Sequence, residues 1–309
     1  MKLANKNFDE CTSFLINDGL FVGRICRLDN VLKTIINKHG YMKNVSAALA
    51  ETTALGVLLA NALKFEGLFT LQLQGKGPVS AVVVDVTSDG KLRACANYDA
   101  ERLEKAFALR KTQDEIEATP HLLGNGTLAF TLDDGKSNYH QGVVDLQGKT
   151  LAECALRYFK KSEQIETMLK LFIEIPENEE GDFKAGGIIL QRIPEIGGKN
   201  VDIKDLPELR NEVEVLMNSL TKEELFDENL SLNELLYRLY HANNVTVTKE
   251  NKYEFSCRCS REKLLNTLRG FKEEELTSMV DDNSKITAKC GFCSEVYEFT
   301  IPEIVEKMN

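Results

Sequence analysis

Apolar and polar positions alternate in several short runs along the N-terminal part of the chain, and this period of two is typical of β-strands. The runs cover residues 20–27, 68–74, 79–86, 91–98, 126–132, 139–146, 165–175 and 185–194. Asp134-Gly135 separates two of these runs and is a common dipeptide of tight hairpin turns. The pattern therefore predicts consecutive strands joined by short turns.

Other stretches of the same region have helical spacing. A segment that ends at Ile36 is amphipathic, and Thr150 begins the capping-box pattern Thr-Leu-Ala-Glu of another helix. The stretch 45–63 is rich in Ala and Leu and apolar on all sides, and small residues such as Gly56 permit close packing. We therefore expect 45–63 to be a buried helix and residues 1–195 to form one α+β domain with a mixed sheet and packed helices.

The character of the chain changes at residue 196. Helical patterns recur at residues 207–220, 222–226 and 232–240, with acidic residues between the apolar ones. The apolar stripes of such helices need a surface to pack against. A segment that needs a docking surface yet lies between two domains is a candidate for conditional order. We therefore interpret residues 196–250 as a helical, metastable linker.

Four cysteines form two close pairs near the C-terminus, Cys257-Arg-Cys259 and Cys290-Gly-Phe-Cys293. Zinc binds four thiolates tetrahedrally, and structural sites usually take them as two pairs separated by a folded spacer. If Cys257 and Cys259 lie on a strand, both point to the same face and can reach one ion. Gly291 can take the positive φ that a tight turn in the second pair requires. We therefore predict a structural zinc site with these four cysteines as ligands.

The Cys-x-Cys half of this small module, which we place at residues 251–309, also bears on function. Two residues apart on a strand, the Cα atoms lie roughly 6.5 to 7 Å from each other, at the outer limit for a disulfide. A disulfide between Cys257 and Cys259 requires the backbone to give way, so oxidation is incompatible with an intact site. Structural zinc contributes on the order of 10 kcal/mol to the folding of such a module. The pattern thus indicates a zinc site that could also act as a redox switch.

The composition, with 43% apolar and 28% charged residues, is ordinary, but the net charge of −10 changes the interpretation of the zinc module. Contacts with phosphate need a basic surface, and no run of Lys or Arg of the expected kind is present. A constitutive zinc ribbon that binds RNA or ribosomes is the alternative function, and the acidic charge speaks against it.

The N-terminus has no secretory signal, and no apolar run approaches the roughly 18 to 20 residues of a membrane helix. We therefore expect a cytoplasmic protein that does not bind membranes. Thiols stay reduced in that compartment, so eight cysteines indicate metal or redox chemistry rather than a disulfide framework. We expect the four scattered cysteines to be small buried or half-buried side chains: Cys11, Cys26, Cys95 and Cys154.

No pattern of an enzyme site accompanies these features. The turns that begin at Gly75 and Gly124 lack the phosphate-loop and dinucleotide-binding spacings. The four histidines are dispersed and no nucleophile motif accompanies them: His39, His121, His140 and His241. We therefore predict no catalytic residues and a protein that is not an enzyme.

Further motifs lie along the chain: Gly75-Lys-Gly-Pro78, Gly124-Asn-Gly126, Tyr139-His-Gln-Gly142, Ser162-Glu-Gln164, and Ala185-Gly-Gly187 followed by Gln191 and Pro194. Together with the cysteine pairs, which are the most specific part, they make the chain similar to the redox-regulated 33 kDa chaperonin family. The resemblance covers almost the whole length.

The resemblance implies an ATP-independent holdase whose N-terminal domain binds clients and forms dimers. In the reduced form of such a protein, four thiolates bind zinc and the linker covers the client surface. Oxidants then form disulfides between sequence neighbours, here Cys257 with Cys259 and Cys290 with Cys293. Zinc leaves, the module and the linker lose structure, and the oxidised protein dimerises and holds unfolding proteins.

Three residues depart from the family pattern. Ser80 and Ser294 stand where glycine is common, and Glu166 stands where proline is common. These departures bear on local turn geometry and on the folding equilibrium rather than on the metal site.

Overall fold

The computed structural model describes residues 8–63, 65–108, 117–134, 139–160, 164–178, 181–193 and 206–305. Contacts divide the chain into two compact units, Met1–Phe255 and Ser256–Asn309. Several sheets and helices alternate along the chain, so the predicted α+β class is confirmed. The division at residues 195 and 250 stays a prediction, and the helices of the predicted linker lie within the first unit.

Most of the strands follow the alternating runs of the sequence. They are β1 (Glu10–Ile16), β2 (Phe21–Leu28), β3 (Leu68–Gly75), β4 (Val79–Thr87), β5 (Lys91–Tyr98), β6 (Gly126–Asp133), β7 (Tyr139–Asp145), β8 (Thr167–Glu174), β9 (Lys184–Arg192), β10 (Thr246–Lys252), β11 (Glu254–Phe255), β12 (Ile286–Lys289) and β13 (Val296–Phe299). The pattern does not predict β1, β10 or β11. The turn residue Gly135 and the motif residues Ser162 and Pro194 lie outside the described residues.

Most of the helices agree closely with the helical spacings, but no spacing predicted the helices at Ala100–Ala108 and Thr119–Leu123. The helices are α1 (Asn30–Asn37), α2 (Lys43–Ala62), α3 (Ala100–Ala108), α4 (Thr119–Leu123), α5 (Leu151–Tyr158), α6 (Leu206–Ser219), α7 (Lys222–Leu225), α8 (Leu232–Tyr240), α9 (Arg261–Leu268), α10 (Glu273–Ser278) and α11 (Ile301–Val305). Thr150 caps α5 as predicted, because its hydroxyl oxygen accepts a hydrogen bond from the N–H of Glu153 at 3.2 Å.

Two sheets of the first unit enclose α2. One sheet has the order β10-β1-β2-β9-β8, and the other has the order β11-β5-β4-β3-β6-β7. Helix α2 contacts both sheets, and a Cβ atom on Gly56 would lie 2.9 Å from Cγ1 of Val84. Glycine at this position therefore permits the close approach of α2 to β4, and the prediction of a buried helix is confirmed.

Helix α2 is also the one helix in the described part of the chain that is long and apolar enough to cross a membrane, so the expectation that no apolar run approaches this length is wrong. Its most apolar window is 83% buried inside the fold. This burial is what a core helix between two sheets requires, because both of its faces have apolar partners.

Two glycine turns pack against each other beside the end of β3. The N–H of Lys76 donates to the carbonyl oxygen of Asn125 at 3.1 Å, and the N–H of Gly77 donates to that of Leu123 at 2.6 Å. A Cβ atom on Gly77 would lie 2.2 Å from the carbonyl oxygen of Leu122. These glycines therefore permit the two turns to approach each other closely. This agrees with the interpretation of the motifs as turns rather than phosphate loops.

The helices α6, α7 and α8 cover the face of the five-stranded sheet that points away from α2. Alternation along β9 shows the two faces, because Ile189 packs in the cluster with α2 whereas Ile188 and Leu190 pack in the cluster with α6–α8. The helical segment contributes buried apolar residues to that second cluster: Val213, Met217, Leu220, Leu225, Phe226, Leu230, Leu232, Leu235, Leu236, Leu239 and Tyr240.

The second unit is a small α+β module with a core of its own. Strands β12 and β13 form an antiparallel hairpin in which Ile286 pairs with Phe299. Ser260 caps α9 by accepting a hydrogen bond from the N–H of Lys263 at 3.2 Å. The buried apolar core consists of Leu268, Leu276, Ile286, Phe299 and Ile304.

Candidate metal centre

The four predicted ligand cysteines come together at one end of the second unit. Cys257 and Cys259 lie in the irregular segment between β11 and α9, and not on a strand as predicted. Strand pairing stops at Phe255, since β11 matches only two residues of β5. The two thiols nevertheless lie within 4.8 Å of each other and of the other two sulfur atoms.

Cys290 and Cys293 lie in the turn between β12 and β13. The N–H of Cys290 donates to the carbonyl oxygen of Glu295 at 2.8 Å, and the N–H of Ser294 donates to that of Cys290 at 2.9 Å. The positive φ of this turn belongs to Ser294, at 59°, and not to Gly291. The prediction for Gly291 is therefore wrong, and the left-handed residue is the serine that stands where the family commonly has glycine.

The sulfur atoms have the spacing of a tetrahedral thiolate site. Cys257 Sγ lies 3.7 Å from Cys290 Sγ, and Cys259 Sγ lies 3.4 Å from Cys293 Sγ. All four ligand atoms lie within 4.8 Å of one another. Four sulfurs at 2.3 Å from a zinc ion would be about 3.8 Å apart. The donor set and its spacing therefore fit a structural zinc ion.

Among the described residues, this cluster is the one group of three or more side chains that could hold a metal ion. Cys290 and Cys293 are buried and Cys257 and Cys259 are half-buried, so the site is sheltered but within reach of small solutes.

Hydrogen-bond donors surround the sulfur atoms. The N–H of Cys259 donates to Cys257, and the N–H of Glu295 donates to Cys293. The hydroxyl group of Tyr297 lies 3.4 Å from Cys259 Sγ. Tyr297 is not among the predicted site residues, and the signal for it in the sequence is its place in an alternating run close to the last cysteine.

The pKa values of Cys257 and Cys293 are shifted in opposite directions. Burial raises the pKa of a thiol, but the N–H of Cys259 and the neighbouring sulfur groups lower the pKa of Cys257 to about 7. Burial, together with those same neighbours, raises the pKa of Cys293. Cys257 therefore forms a thiolate near neutral pH, whereas Cys293 needs a nearby cation to stabilise its thiolate.

The face covered by α6–α8 is apolar with two cationic groups at its border. Arg27 forms an ion pair with Glu10 at 2.8 Å and donates to the carbonyl oxygen of Leu230 at 2.7 Å. Lys170 Nζ donates to the carbonyl oxygens of Asn218 and Leu220, both at 2.8 Å, where α6 ends. Lys170 binds free carbonyl groups at the C-terminus of α6, and Arg27 binds a carbonyl group of the loop between α7 and α8, so both side chains stabilise the docked helices.

Glu166, which departs from the family pattern, also contacts this segment. Its carboxylate pairs with Arg192 at 3.1 Å and with Arg210 of α6. These side chains are about a third exposed, so the pairs add little to stability, typically about 0.2 to 1 kcal/mol each.

The remaining cysteines are buried or half-buried side chains as predicted. Cys11 and Cys26 face each other on β1 and β2 and are fully buried. Burial raises the pKa of Cys11 to about 12. The thiol of Cys11 is therefore far less reactive than that of Cys257, whose pKa is lowered to about 7.

Comparison with known proteins identifies the family. The family model described as "Hsp33 protein" matches residues 9–300. A 33 kDa chaperonin of Enterobacter sp. (strain 638) is 34% identical over 301 residues, which cover 97% of this chain and 95% of the relative. A 33 kDa chaperonin of Caulobacter vibrioides is 32% identical over 296 residues, with 95% of each chain covered.

A crystal structure of a 33 kDa chaperonin (heat shock protein 33 homolog) from Thermotoga maritima has a TM-score of 0.79 with this chain, at 22% identity. It covers 96% of this chain and 97% of its own, and shows that the fold is shared. The relatives are named chaperonins and not enzymes, which confirms the prediction of a protein that is not an enzyme. The chain belongs to the Hsp33 family of chaperones.

Proposed function

We propose that this chain is a redox-regulated, ATP-independent holdase that binds unfolding proteins in the cytoplasm under oxidative stress. The observation that carries the redox part is the convergence of four cysteine sulfur atoms within 4.8 Å of one another. Thiolates in a reducing compartment react with peroxide when oxidants rise. Membership of a chaperone family supplies the rest of the argument.

The four thiolates of Cys257, Cys259, Cys290 and Cys293 would hold Zn²⁺, which joins the two halves of the module and adds on the order of 10 kcal/mol to its folding. Two thiolates, two protons and one peroxide molecule give one S–S bond and two water molecules. Each such reaction removes two ligands. After both reactions no thiolate of the site is left to bind the metal.

We expect the disulfides to join sequence neighbours, Cys257 with Cys259 and Cys290 with Cys293. Neighbours stay close when the module loosens, whereas the two halves separate and the entropy of closing the longer loop opposes their reunion. The folded module also brings Cys257 near Cys290 and Cys259 near Cys293. Peptide mapping of the oxidised protein decides between the two pairings.

Loss of structure in the module releases the linker, residues 196–250, from the N-terminal domain, residues 1–195. Undocking uncovers a continuous apolar face of the five-stranded sheet, which includes Phe14, Phe21, Ile25, Met168 and Leu190. An exposed apolar surface of this kind binds the apolar segments of unfolding proteins. The oxidised protein then forms dimers and holds its clients, and it binds neither nucleic acid nor membranes.

Zinc content and thiol count test the redox half of the proposal. Both are measured before and after peroxide with mild heating, and circular dichroism follows the loss of structure. We expect one zinc ion and about four thiols to be lost together, because ligation and folding of the module are coupled. The matched control Cys95→Ser removes a half-buried cysteine outside the cluster and should leave zinc release unchanged.

Light scattering by a thermally unfolding client tests the chaperone half. The oxidised protein should suppress aggregation and the reduced protein should not. Equal suppression by both forms would contradict regulation by oxidation. Salt-dependent RNA binding by the reduced protein would instead support the alternative of a constitutive zinc ribbon.

A further inference from the structure

The hydrogen-bond donors of the cluster differ in one respect that matters for oxidation. Main-chain N–H groups donate to Cys257 and Cys293. Cys259 instead faces a side-chain donor, the hydroxyl group of Tyr297, at 3.4 Å. A main-chain N–H group survives every side-chain substitution except proline. The contact of Tyr297 is therefore the one of these three that a single conservative substitution removes.

Tyr297 keeps its position without help from the sulfur atom. Its Cα pairs with that of Ala288 in the β12–β13 hairpin, and its ring packs against the core of the module. The neighbouring strand residue Val296 is 52% exposed on the other face. The strand thus fixes the direction of the phenol, so the hydroxyl group is aimed at Cys259 by the fold.

A hydrogen bond from an O–H group to a thiolate draws negative charge away from the sulfur. A thiolate with less negative charge is a weaker nucleophile toward peroxide. At metal sites, outer partners of this kind also orient the ligand, and their loss typically lowers metal affinity by about 10- to 100-fold. Both effects have the same sign, since each keeps the thiolate of Cys259 on the metal.

We propose that Tyr297 is a positioning residue that sets how readily the cluster is oxidised, by donating its hydroxyl hydrogen to Cys259 Sγ. The inference rests on the proposed function, in which peroxide is the oxidant. The thiolate attacks the O–O bond, an S–O bond forms as the O–O bond breaks, and hydroxide leaves. A second cysteine thiolate then displaces hydroxide from the sulfenic acid to form the S–S bond, and solvent protons convert both hydroxides to water.

The hydrogen bond of Tyr297 opposes the first of these steps, because it lowers the charge on the attacking sulfur. The variant Tyr297→Phe keeps the ring and removes only the hydroxyl group. The matched control is Tyr237→Phe, which removes the hydroxyl group of a side chain that is 64% exposed and lies outside the module. All proteins are full-length and zinc-loaded, and a chromogenic chelator reports zinc release after addition of hydrogen peroxide.

We expect release about tenfold faster for Tyr297→Phe and unchanged for the control. Cobalt(II) in place of zinc gives a second signal that a merely structural role of Tyr297 would not move. The sulfur-to-cobalt charge-transfer band depends on the electron density of the sulfur atoms, so it should shift in Tyr297→Phe. Equal release rates and an unchanged cobalt band overturn the proposal.

Site-specific incorporation of 3-fluorotyrosine at position 297 covers the case in which Tyr297→Phe fails to take up metal. The fluorinated phenol has nearly the same shape and is a stronger donor, so zinc release should be slower. Equal or faster release overturns the proposal. A client aggregation assay on the same samples keeps the two ideas apart, because an inactive oxidised parent protein refutes the proposed function while the comparison of release rates still decides the role of Tyr297.

Discussion

Tyr240 has a hydroxyl group that forms no hydrogen bond with any described residue, although its side chain is fully buried. The residue ends α8, and its ring stacks against that of Phe14 on β1 with centroids 6.0 Å apart. A buried hydroxyl group without a partner costs about 1 to 3 kcal/mol, because it has lost its hydrogen bonds to water. Undocking of α8 returns the group to water, so the hydroxyl favours the open state of the linker.

We therefore predict that Tyr240→Phe stabilises the docked linker. The change keeps the ring and its contact with Phe14 and removes only the unpaired oxygen. A gain of about 1.4 kcal/mol, inside the range above, is a tenfold change in an equilibrium constant. Hydrogen exchange of residues 206–240 in the reduced, zinc-loaded protein should slow by about this factor, and activation by peroxide should slow with it.

The exposed residue Tyr237 of the same helix provides the control, since Tyr237→Phe changes a hydroxyl group that already faces water. It should alter neither exchange nor activation. If Tyr240→Phe exchanges as fast as the parent protein, or faster, the reasoning is refuted, because the hydroxyl group must then have a partner in the docked state.

Three further predictions test other parts of the structure. Leu236→Ala removes a fully buried side chain of α8 and should lower the free energy of docking of the linker by about 2 to 5 kcal/mol. Light scattering should then show that the reduced variant holds clients without oxidation, and a fully inactive reduced variant would contradict this. Ser294→Gly relieves a φ of 59° and should stabilise the zinc module by about 1 kcal/mol in thermal unfolding, whereas Gly291→Ala, with nothing within 4 Å of the new Cβ, should be neutral. Burial raises the pKa of Asp9 to about 6, so the folded state prefers the protonated carboxyl group, and this contribution is complete below about pH 4 and lost as the pH rises through about 6. Urea unfolding of Asp9→Asn, whose amide oxygen can still accept the hydrogen bonds from the N–H groups of Asp29 and Val31, should lack roughly 3 kcal/mol of that pH dependence, and equal slopes would contradict the assignment.

Features encoded by neighbouring residues were predictable from the sequence. The spacing of apolar residues in α6, α7 and α8 gave their bounds to within a few positions, since helical periodicity is local. Their docking site was not predictable in the same way. The hydrogen bond from Arg27 to Leu230 joins residues 203 positions apart, and no local pattern encodes such a contact.

Strand β10 was also not predictable from local sequence. Its sequence, Thr-Val-Thr-Lys-Glu-Asn-Lys, has few apolar positions because it is almost wholly exposed. Only its pairing with β1, far away in the sequence, makes it a strand. Pattern analysis finds strands by their buried face, so it does not find a strand that has none.

The candidate site was predicted in its chemistry but not in its geometry. The spacing of the cysteines indicated four ligands, and the structure brings all four together. The residue with positive φ is Ser294 and not the predicted Gly291, because the path of the turn depends on how the hairpin closes. The contact of Tyr297 with Cys259 depends on the same closure, because alternation alone does not say which face of β13 meets the first cysteine pair.

Strand β10 has a consequence for self-assembly. It pairs with β1 from Glu10 to Leu15 and so occupies one of the two outer positions of the five-stranded sheet, with β8 at the other. Its lysine and glutamate side chains give that position a charged border, which discourages the addition of a strand from another molecule. If β10 left, β1 would become the outer strand, and its sequence ends in the apolar run Phe14-Leu-Ile16. An apolar edge strand would then be exposed in place of a charged one, and such an edge can pair with a strand of another molecule. In the closed protein, β10 therefore protects this edge of the sheet from intermolecular strand pairing.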